Sequence, residues 1–142
     1  MIYAIAISRG VSIDRLKVGV TAGRVSDRLR SFWTVAPEAF VLGLYRGAEP
    51  EERQAHHLLA AHRVGRSEVF DVPNAIAAVR LLDENLVCAS GEEWRDQIRG
   101  FDDREIDRLL KSALALVRSQ SANHEIAGAL LLALRMIGGG RP

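Results

Sequence analysis

Lys17 is the first residue of this 142-residue chain whose type and position point to chemistry. It lies between Leu16 and Val18 in a short apolar run, and it is one of only two lysines among nineteen basic side chains. A cationic head group in such a run costs free energy unless it reaches water or an anion. A Gly-Val-Thr turn and an arginine-rich segment at residues 22–33 follow directly. The sequence here points either to a bound anion or to a lysine that reaches solvent.

A second group of ionisable residues lies in the middle of the chain. His56 follows Glu52 by four residues, so the two share one face if this segment is helical. Glu51 is a close alternative to Glu52 as the functional acid. Both carboxylates would also stabilise a helix that starts here, through their interaction with its dipole. His57 and His62 add imidazoles, but no cysteine or second carboxylate comes at ligand spacing, so we do not expect a zinc site.

The elements that must position these residues can be read from hydrophobic periodicity. The pattern predicts strands at residues 2–7, 16–20 and 39–45, with helices at 22–33, 49–62 and 73–84 and a short extended piece at 68–72. The first two strands are expected to form an antiparallel hairpin. We therefore expect an α+β fold in which a small three-stranded antiparallel sheet is flanked by helices.

The remainder of the chain is predicted to form a helical C-terminal extension. Residues 102–118 are amphipathic, whereas residues 124–137 are apolar nearly all round, which is typical of a helix packed in a bundle or against a partner chain. The glycine-rich end at 138–142 is expected to be a disordered tail. The expected organisation is a domain at 1–85 and an extension at 86–137, with no residues at catalytic spacing in the extension.

The charge of the chain permits a nucleic-acid partner without requiring one. The net charge is +1; residues 1–80 hold eleven Lys/Arg and eight Asp/Glu, a net of +3, and residues 81–142 hold eight and ten, a net of −2. A basic excess of this size is mild. Cys88 is the only cysteine, which excludes a disulfide framework and a cysteine-rich zinc site.

The composition is that of an ordinary globular protein, with 48% apolar and 26% charged residues. The chain opens directly into a strand pattern without the lead of a signal peptide. No apolar run approaches the roughly 20 residues that a membrane helix needs. We therefore expect a cytoplasmic protein without a membrane partner.

The order of elements and polar residues in the first 80 positions resembles the GIY-YIG nuclease superfamily. That name records a Gly-Ile-Tyr in the first strand and a Tyr-Ile-Gly in the second, and a phage-related branch has a Lys-Ile-Gly second motif. The matching residues are Met1-Ile2-Tyr3, Lys17-Val18-Gly19-Val20-Thr21, Arg28-Leu29, Glu52 with His56, and Ser67-Glu68-Val69-Phe70. Five such motifs in order, at compatible spacing, carry the resemblance.

The resemblance implies a metal-dependent endonuclease that hydrolyses phosphodiester bonds in DNA. Glu52 would then be the ligand of a Mg²⁺ or Mn²⁺ ion, because Mg²⁺ is bound by one or two carboxylates together with water and substrate phosphate. Arg28 would hold phosphoryl oxygens bidentately and stay protonated at any working pH. His56 would belong to the same catalytic set.

The two strand motifs imply roles for a tyrosine and a lysine. Tyr3 would orient or deprotonate the attacking water, with its pKa lowered by nearby cations. Lys17 stands where the second-motif tyrosine is found, and it would either lower the pKa of Tyr3 or contact a substrate phosphate. Gly19 would let the backbone pass close beside the site.

Other interpretations of the same residues lead to other functions. Tyr3 would be a half-buried strand aromatic, Lys17 an edge-strand lysine that reaches solvent, and Arg28 part of a solvated helix face. The chain would then be a non-catalytic relative that binds nucleic acid or a protein through its basic face. A third alternative is an oligomerising regulatory protein whose C-terminal helices form a homo-oligomer.

Overall fold

The computed structural model describes residues 1–9 and 12–119. The predicted apolar helix at 124–137 and the predicted tail at 138–142 lie outside these described residues. The strands are β1 (Ile2–Arg9), β2 (Ser12–Val20), β3 (Phe40–Tyr45) and β4 (Val69–Asp71). The helices are α1 (Val25–Trp33), α2 (Glu49–Leu58), α3 (Ala75–Asn85), α4 (Gly91–Ile98) and α5 (Asp103–Ser119), with a short 3₁₀ turn at Ala60–His62 after α2.

The described residues form an α+β fold with one antiparallel sheet in the order β3-β1-β2-β4. The α+β class and the β1–β2 hairpin are confirmed, but the prediction of three strands is wrong. The fourth strand is the piece predicted only as extended, and it pairs with β2 through Leu16 opposite Phe70 and Lys17 opposite Val69. Three residues are too few to show an alternating pattern, so this strand is defined by its partner and not by its own sequence.

The β1–β2 register brings Tyr3, Lys17 and Gly19 to one face of the sheet. Tyr3 is opposite Gly19, and Ile5 is opposite Lys17. Because side chains alternate along a strand, the two positions in each strand lie on the same face. The hairpin therefore places the phenol of Tyr3 and the stem of Lys17 next to each other.

Helices α1 and α2 begin for different local reasons. In α1 the spacing of Val25, Leu29, Phe32 and Trp33 predicts one apolar face. Val25, Leu29 and Trp33 are buried, and Phe32 is partly buried against the core. Helix α2 begins at Glu49-Pro50, where proline in the first turn lacks a backbone N–H that would have no helical partner. The carboxylate of Glu51 accepts a hydrogen bond from the Ala48 backbone N–H at 2.7 Å and so caps the same helix.

Helices α4 and α5 pack against the sheet region as part of the same hydrophobic cluster, to which they and their connection contribute Ile98, Phe101 and Leu109. The amphipathic helix predicted at 102–118 is confirmed as α5, whereas α4 was not predicted. Its start carries a capping box in which Ser90 Oγ accepts from the Glu93 N–H at 3.2 Å and Glu93 accepts from the Ser90 N–H at 2.7 Å. No helix among the described residues is long and apolar enough to cross a membrane.

Candidate active site

A cleft of about 430 Å³ opens beside the β1–β2 hairpin. Its walls come from two strands, two helices and the segment before β4, and the lining residues are Tyr3, Lys17, Val20, Arg28, Ser31, Phe32, Glu49, Glu52 and Glu68. Four of the five predicted site residues are in this set. The fold thus brings together Tyr3, Lys17, Arg28 and Glu52, which are spread over fifty positions of sequence.

Tyr3 is held in the cleft by the backbone of the opposite strand. The side chain of Tyr3 is only 4% exposed. A Cβ atom added at Gly19 would lie 2.6 Å from the Tyr3 hydroxyl oxygen, a distance that real Cβ contacts do not show. The close approach predicted for Gly19 is therefore present, and a glycine is required there because the phenol occupies the space of a side chain.

The surroundings of Tyr3 keep its hydroxyl protonated. Burial raises the pKa of Tyr3 above its ordinary value, the Glu68 and Glu52 carboxylates raise it further, and the Arg28 guanidinium opposes them. The predicted lowering of the Tyr3 pKa by nearby cations is wrong for this arrangement. Two carboxylates and desolvation outweigh the one guanidinium that acts on the phenol.

Lys17 forms an ion pair with the carboxylate of Glu68. Its ammonium nitrogen also lies 5.7 Å from the centre of the Phe32 ring, and its side chain is 18% exposed. The edge-strand interpretation of Lys17 is wrong, because β2 pairs with β1 on one side and, through Val69, with β4 on the other. The anion that Lys17 reaches in this structure is an internal carboxylate.

Glu68 is a cleft residue to which the sequence analysis gave no role. It lies immediately before β4, and its backbone carbonyl accepts a hydrogen bond from the Val18 N–H at 3.0 Å. This bond fixes the backbone beside Lys17 while the side chain enters the cleft. The available signal was an acidic residue within the Ser67-Glu68-Val69-Phe70 motif, but the ion-pair partner of Glu68 depends on the β2–β4 pairing.

The charged groups of Arg28 and Glu52 remain available to bind a ligand. Arg28 is exposed on α1, and Glu52 is partly buried on α2. Among the described residues, neither side chain has a hydrogen-bond or ion-pair partner. The alternative acid, Glu51, does not line the cleft, because its carboxylate caps the α2 N-terminus. Of the two acids, Glu52 is therefore the one that can meet a ligand.

His56 lies outside the cleft lining. Its Nε2 donates a hydrogen bond to the Val18 carbonyl at 2.9 Å, which assigns the ring proton to Nε2 because a carbonyl only accepts. Its ring centre is 5.3 Å from that of Phe70. These contacts hold α2 against β2 next to Lys17 and Gly19, so His56 is placed to position the site.

The carboxylates of the cleft suit a cation that needs few protein ligands. Among the described residues, no three His, Cys, Asp or Glu side chains come close enough to form a metal-binding group. Mg²⁺ and Mn²⁺ accept water and phosphate oxygens beside one or two carboxylates, whereas structural zinc is bound by four protein ligands. The free carboxylate of Glu52, in a cleft that also presents the Arg28 guanidinium, fits the first kind of ion.

A scan of this chain against protein-family models, and searches of curated proteins and of solved structures, found no match.

Proposed function

We propose that this chain is a metal-dependent endonuclease of the GIY-YIG type that hydrolyses phosphodiester bonds in DNA. The observation that carries the proposal is the convergence of Tyr3, Lys17, Arg28 and Glu52 on one cleft from four different elements. These are four of the five residues that the motif resemblance named, and their meeting supports the proposal, whereas His56 lies outside the cleft lining. By the same resemblance, the setting would be a phage, a mobile element or a defence system.

Arg28 is the group best placed to bind the scissile phosphate. Its guanidinium is exposed at the cleft and has no partner among the described residues. A planar guanidinium donates two parallel hydrogen bonds to phosphoryl oxygens and compensates the charge that develops on them. Arg28 therefore orients the phosphate and stabilises the transition state.

Glu52 would hold the Mg²⁺ or Mn²⁺ ion. When bound, such an ion polarises the phosphoryl group and lowers the pKa of a coordinated water molecule. The contribution of the chain is a carboxylate that is partly buried, unpaired among the described residues and directed to the cleft. Glu49 lines the same wall but lies 3.7 Å from Arg53, so Glu52 is the better ligand.

Tyr3 orients the attacking water through a neutral hydroxyl. Because burial and the neighbouring carboxylates raise the pKa of Tyr3, its proton is retained at neutral pH. A neutral phenol donates one hydrogen bond and accepts another, which is sufficient to aim a water molecule at phosphorus. Proton abstraction by the phenolate becomes available only at alkaline pH.

A plasmid nicking assay tests the proposal. Supercoiled DNA is incubated with the protein in Mg²⁺, in Mn²⁺ or in EDTA, beside the Glu52→Gln variant purified in parallel as a control for contaminating nuclease. We expect nicked or linear product with a divalent ion, and none with EDTA or with the variant.

Two other results would contradict the nuclease. Binding of DNA without cleavage in either ion would favour the non-catalytic nucleic-acid-binding alternative. An absence of both binding and cleavage would favour the regulatory protein, whose homo-oligomer the sequence analysis assigned to the C-terminal helices. Light scattering would then report the oligomeric state.

A further inference from the structure

The charges that line the cleft do not favour a phosphate in the state described. Lys17 and Arg28 supply two positive charges, and Glu49, Glu52 and Glu68 supply three negative ones, a net of −1. The Lys17 ammonium is already bound to Glu68. A phosphate that enters this cleft therefore meets one free guanidinium and an excess of carboxylates.

The two partners of this ion pair differ in their freedom to move. The Lys17 side chain is 18% exposed and its ammonium lies over the Phe32 ring, whereas the Glu68 side chain is 44% exposed. Glu68 stands before β4, and its backbone is fixed by the hydrogen bond from Val18. The carboxylate can thus turn out to water by side-chain rotation alone, while the ammonium stays in the cleft.

A second ion pair on the same two strands has a different setting. Arg15 Nε lies 2.5 Å from Asp71 Oδ1, and these residues are directly opposite in the β2–β4 register. Neither residue lines the cleft. The Arg15–Asp71 pair already joins β4 to β2 outside the cleft. Joining the two strands therefore does not explain why a second ion pair, Lys17–Glu68, lies in the cleft.

The geometry points to Glu68 as an internal substitute for substrate phosphate: its carboxylate occupies a phosphate-binding subsite on Lys17 and is displaced when a DNA phosphate binds there. This inference rests on the proposed function for the identity of the ligand. When no ligand is bound, the Glu68 carboxylate keeps the Lys17 side chain extended toward the cleft. It also lowers the affinity of the cleft for phosphates that cannot displace it from Lys17. After the exchange, the Lys17 ammonium holds a phosphate beside the one bound by Arg28.

The test measures binding separately from cleavage. A short fluorescein-labelled DNA duplex is titrated with protein in EDTA at several salt concentrations, and the affinity is followed by fluorescence anisotropy. Glu68→Gln should tighten binding about fivefold at low salt, which is the effect of losing one partly exposed ion pair. The slope of log K against log salt should stay close to that of the wild type, because Lys17 contacts the same phosphate in both proteins once Glu68 has been displaced.

Three further variants complete the design. Asp71→Asn is the matched control, because it removes the neighbouring ion pair of the same strands outside the cleft, and it should leave affinity and slope unchanged. Lys17→Met should weaken binding and reduce the slope. In the Lys17→Met background, Glu68→Gln should increase the DNA affinity by less than half as much as it does in the wild type, because the phosphate subsite on Lys17 is gone.

The inference would be overturned if Glu68→Gln and Asp71→Asn changed the affinity equally, or if Glu68→Gln left it unchanged or weaker. If Glu68→Gln fails to fold, Lys17→Met alone decides, since unchanged binding at every salt concentration would show that Lys17 contacts no phosphate. Wild-type cleavage with Mg²⁺ or Mn²⁺ is measured on the same preparations. A protein that passes the binding test but never cleaves would refute the proposed nuclease and leave the phosphate subsite standing.

Discussion

The hydroxyl of Tyr3 lies against the backbone of Gly19, its partner across the β1–β2 hairpin. A Cβ at position 19 would come within 2.6 Å of the hydroxyl oxygen and 2.8 Å of the ring carbon that carries it. The phenol therefore reaches the cleft only because residue 19 has no side chain. The second motif thus contributes space to the site as well as the charge of Lys17.

Replacing Gly19 by alanine should displace Tyr3. Because the ring is 4% exposed, it has little room to move, and we expect the free energy of unfolding to fall by about 1–3 kcal/mol, as in other overpacked sites. Nicking should fall at least roughly tenfold, since a misplaced catalytic group lowers the rate steeply. Urea denaturation and the nicking assay measure the two effects.

Gly91→Ala is the control for this substitution, because a Cβ there meets no atom within 4 Å. It should change the free energy of unfolding by no more than about 0.5 kcal/mol, as is usual for surface positions, and it should leave the nicking rate unchanged. A Gly19→Ala protein as stable and as active as Gly91→Ala would show that Tyr3 is not held in this position.

Arg28→Ala should lower cleavage by about 100-fold or more, the usual cost of removing one group that stabilises transition-state charge. Stability should change by less than about 0.5 kcal/mol, because Arg28 is exposed and has no side-chain partner among the described residues. Single-turnover nicking and thermal unfolding provide the two measurements. Arg24→Ala, an exposed arginine at the start of the same helix but outside the cleft lining, should cleave like the wild type.

Variants of the two adjacent acids of α2 should differ in whether they lower the nicking activity or the melting temperature. Glu52→Gln should abolish metal-dependent nicking and leave the melting temperature nearly unchanged. Glu51→Gln should keep the nicking activity but lower the melting temperature, because a neutral amide is a weaker acceptor for the Ala48 N–H at the helix start. The reverse pattern would assign the metal to Glu51.

The capping role of Glu51 also has a pH dependence. The Ala48 N–H holds the pKa of Glu51 below its ordinary value of 4.5. Its stabilising contribution is therefore complete above that value and is lost as the pH falls through the lower, folded-state pKa. The wild type and Glu51→Gln should accordingly converge in melting temperature in acid, and a constant difference would contradict this account.

The two tyrosines should make the protein less stable in alkali. Burial raises the pKa of Tyr3 and of Tyr45 in the folded state, and Tyr45 Oη donates to Asp83 Oδ1 at 2.8 Å. Because the folded state then binds these protons more tightly than the unfolded state, their contribution is complete below the ordinary pKa of 10.0. It is lost as the pH rises above that value. Urea denaturation from neutral to alkaline pH measures the fall.

The neighbours of Tyr3 can be tested by its ultraviolet titration. The chain has two tyrosines, so Tyr45→Phe leaves Tyr3 as the only phenol. In that background, Glu68→Gln should lower the pKa of Tyr3 and Arg28→Ala should raise it, in line with the charges that act on the phenol. An unchanged titration in both variants would show that these groups do not face Tyr3.

Helix α5 is fastened to α1 by one bidentate ion pair. Arg30 donates to both carboxylate oxygens of Glu105, at 2.7 and 3.0 Å, and to the Gly100 carbonyl at 2.6 Å. Arg30→Met should cost about 1–2 kcal/mol in the free energy of unfolding, because several charge-assisted bonds are lost together. Arg99→Met, which removes an exposed pair at 3.7 Å, should cost less than about 0.5 kcal/mol, and equal losses would contradict the difference.

Local patterns alone determined the hairpin, the buried face of α1 and the extent of α5. These features follow from the spacing of apolar residues over a few turns or a few strand positions, so they need no knowledge of the rest of the chain. The meeting of Tyr3, Lys17, Arg28 and Glu52 was anticipated through the motif resemblance, and the cleft brings these four together. The start of helix α4 also has a local signal, the capping box of Ser90 and Glu93.

Tertiary structure decided the rest of the site. The choice between Glu51 and Glu52 depends on which neighbouring acid caps the helix, and the pairing of Lys17 with Glu68 depends on a three-residue strand placed beside β2. The direction of the Tyr3 pKa shift depends on burial and on carboxylates from two distant segments. Each outcome is a balance of contacts between residues far apart in sequence, and a local pattern carries no information about such contacts.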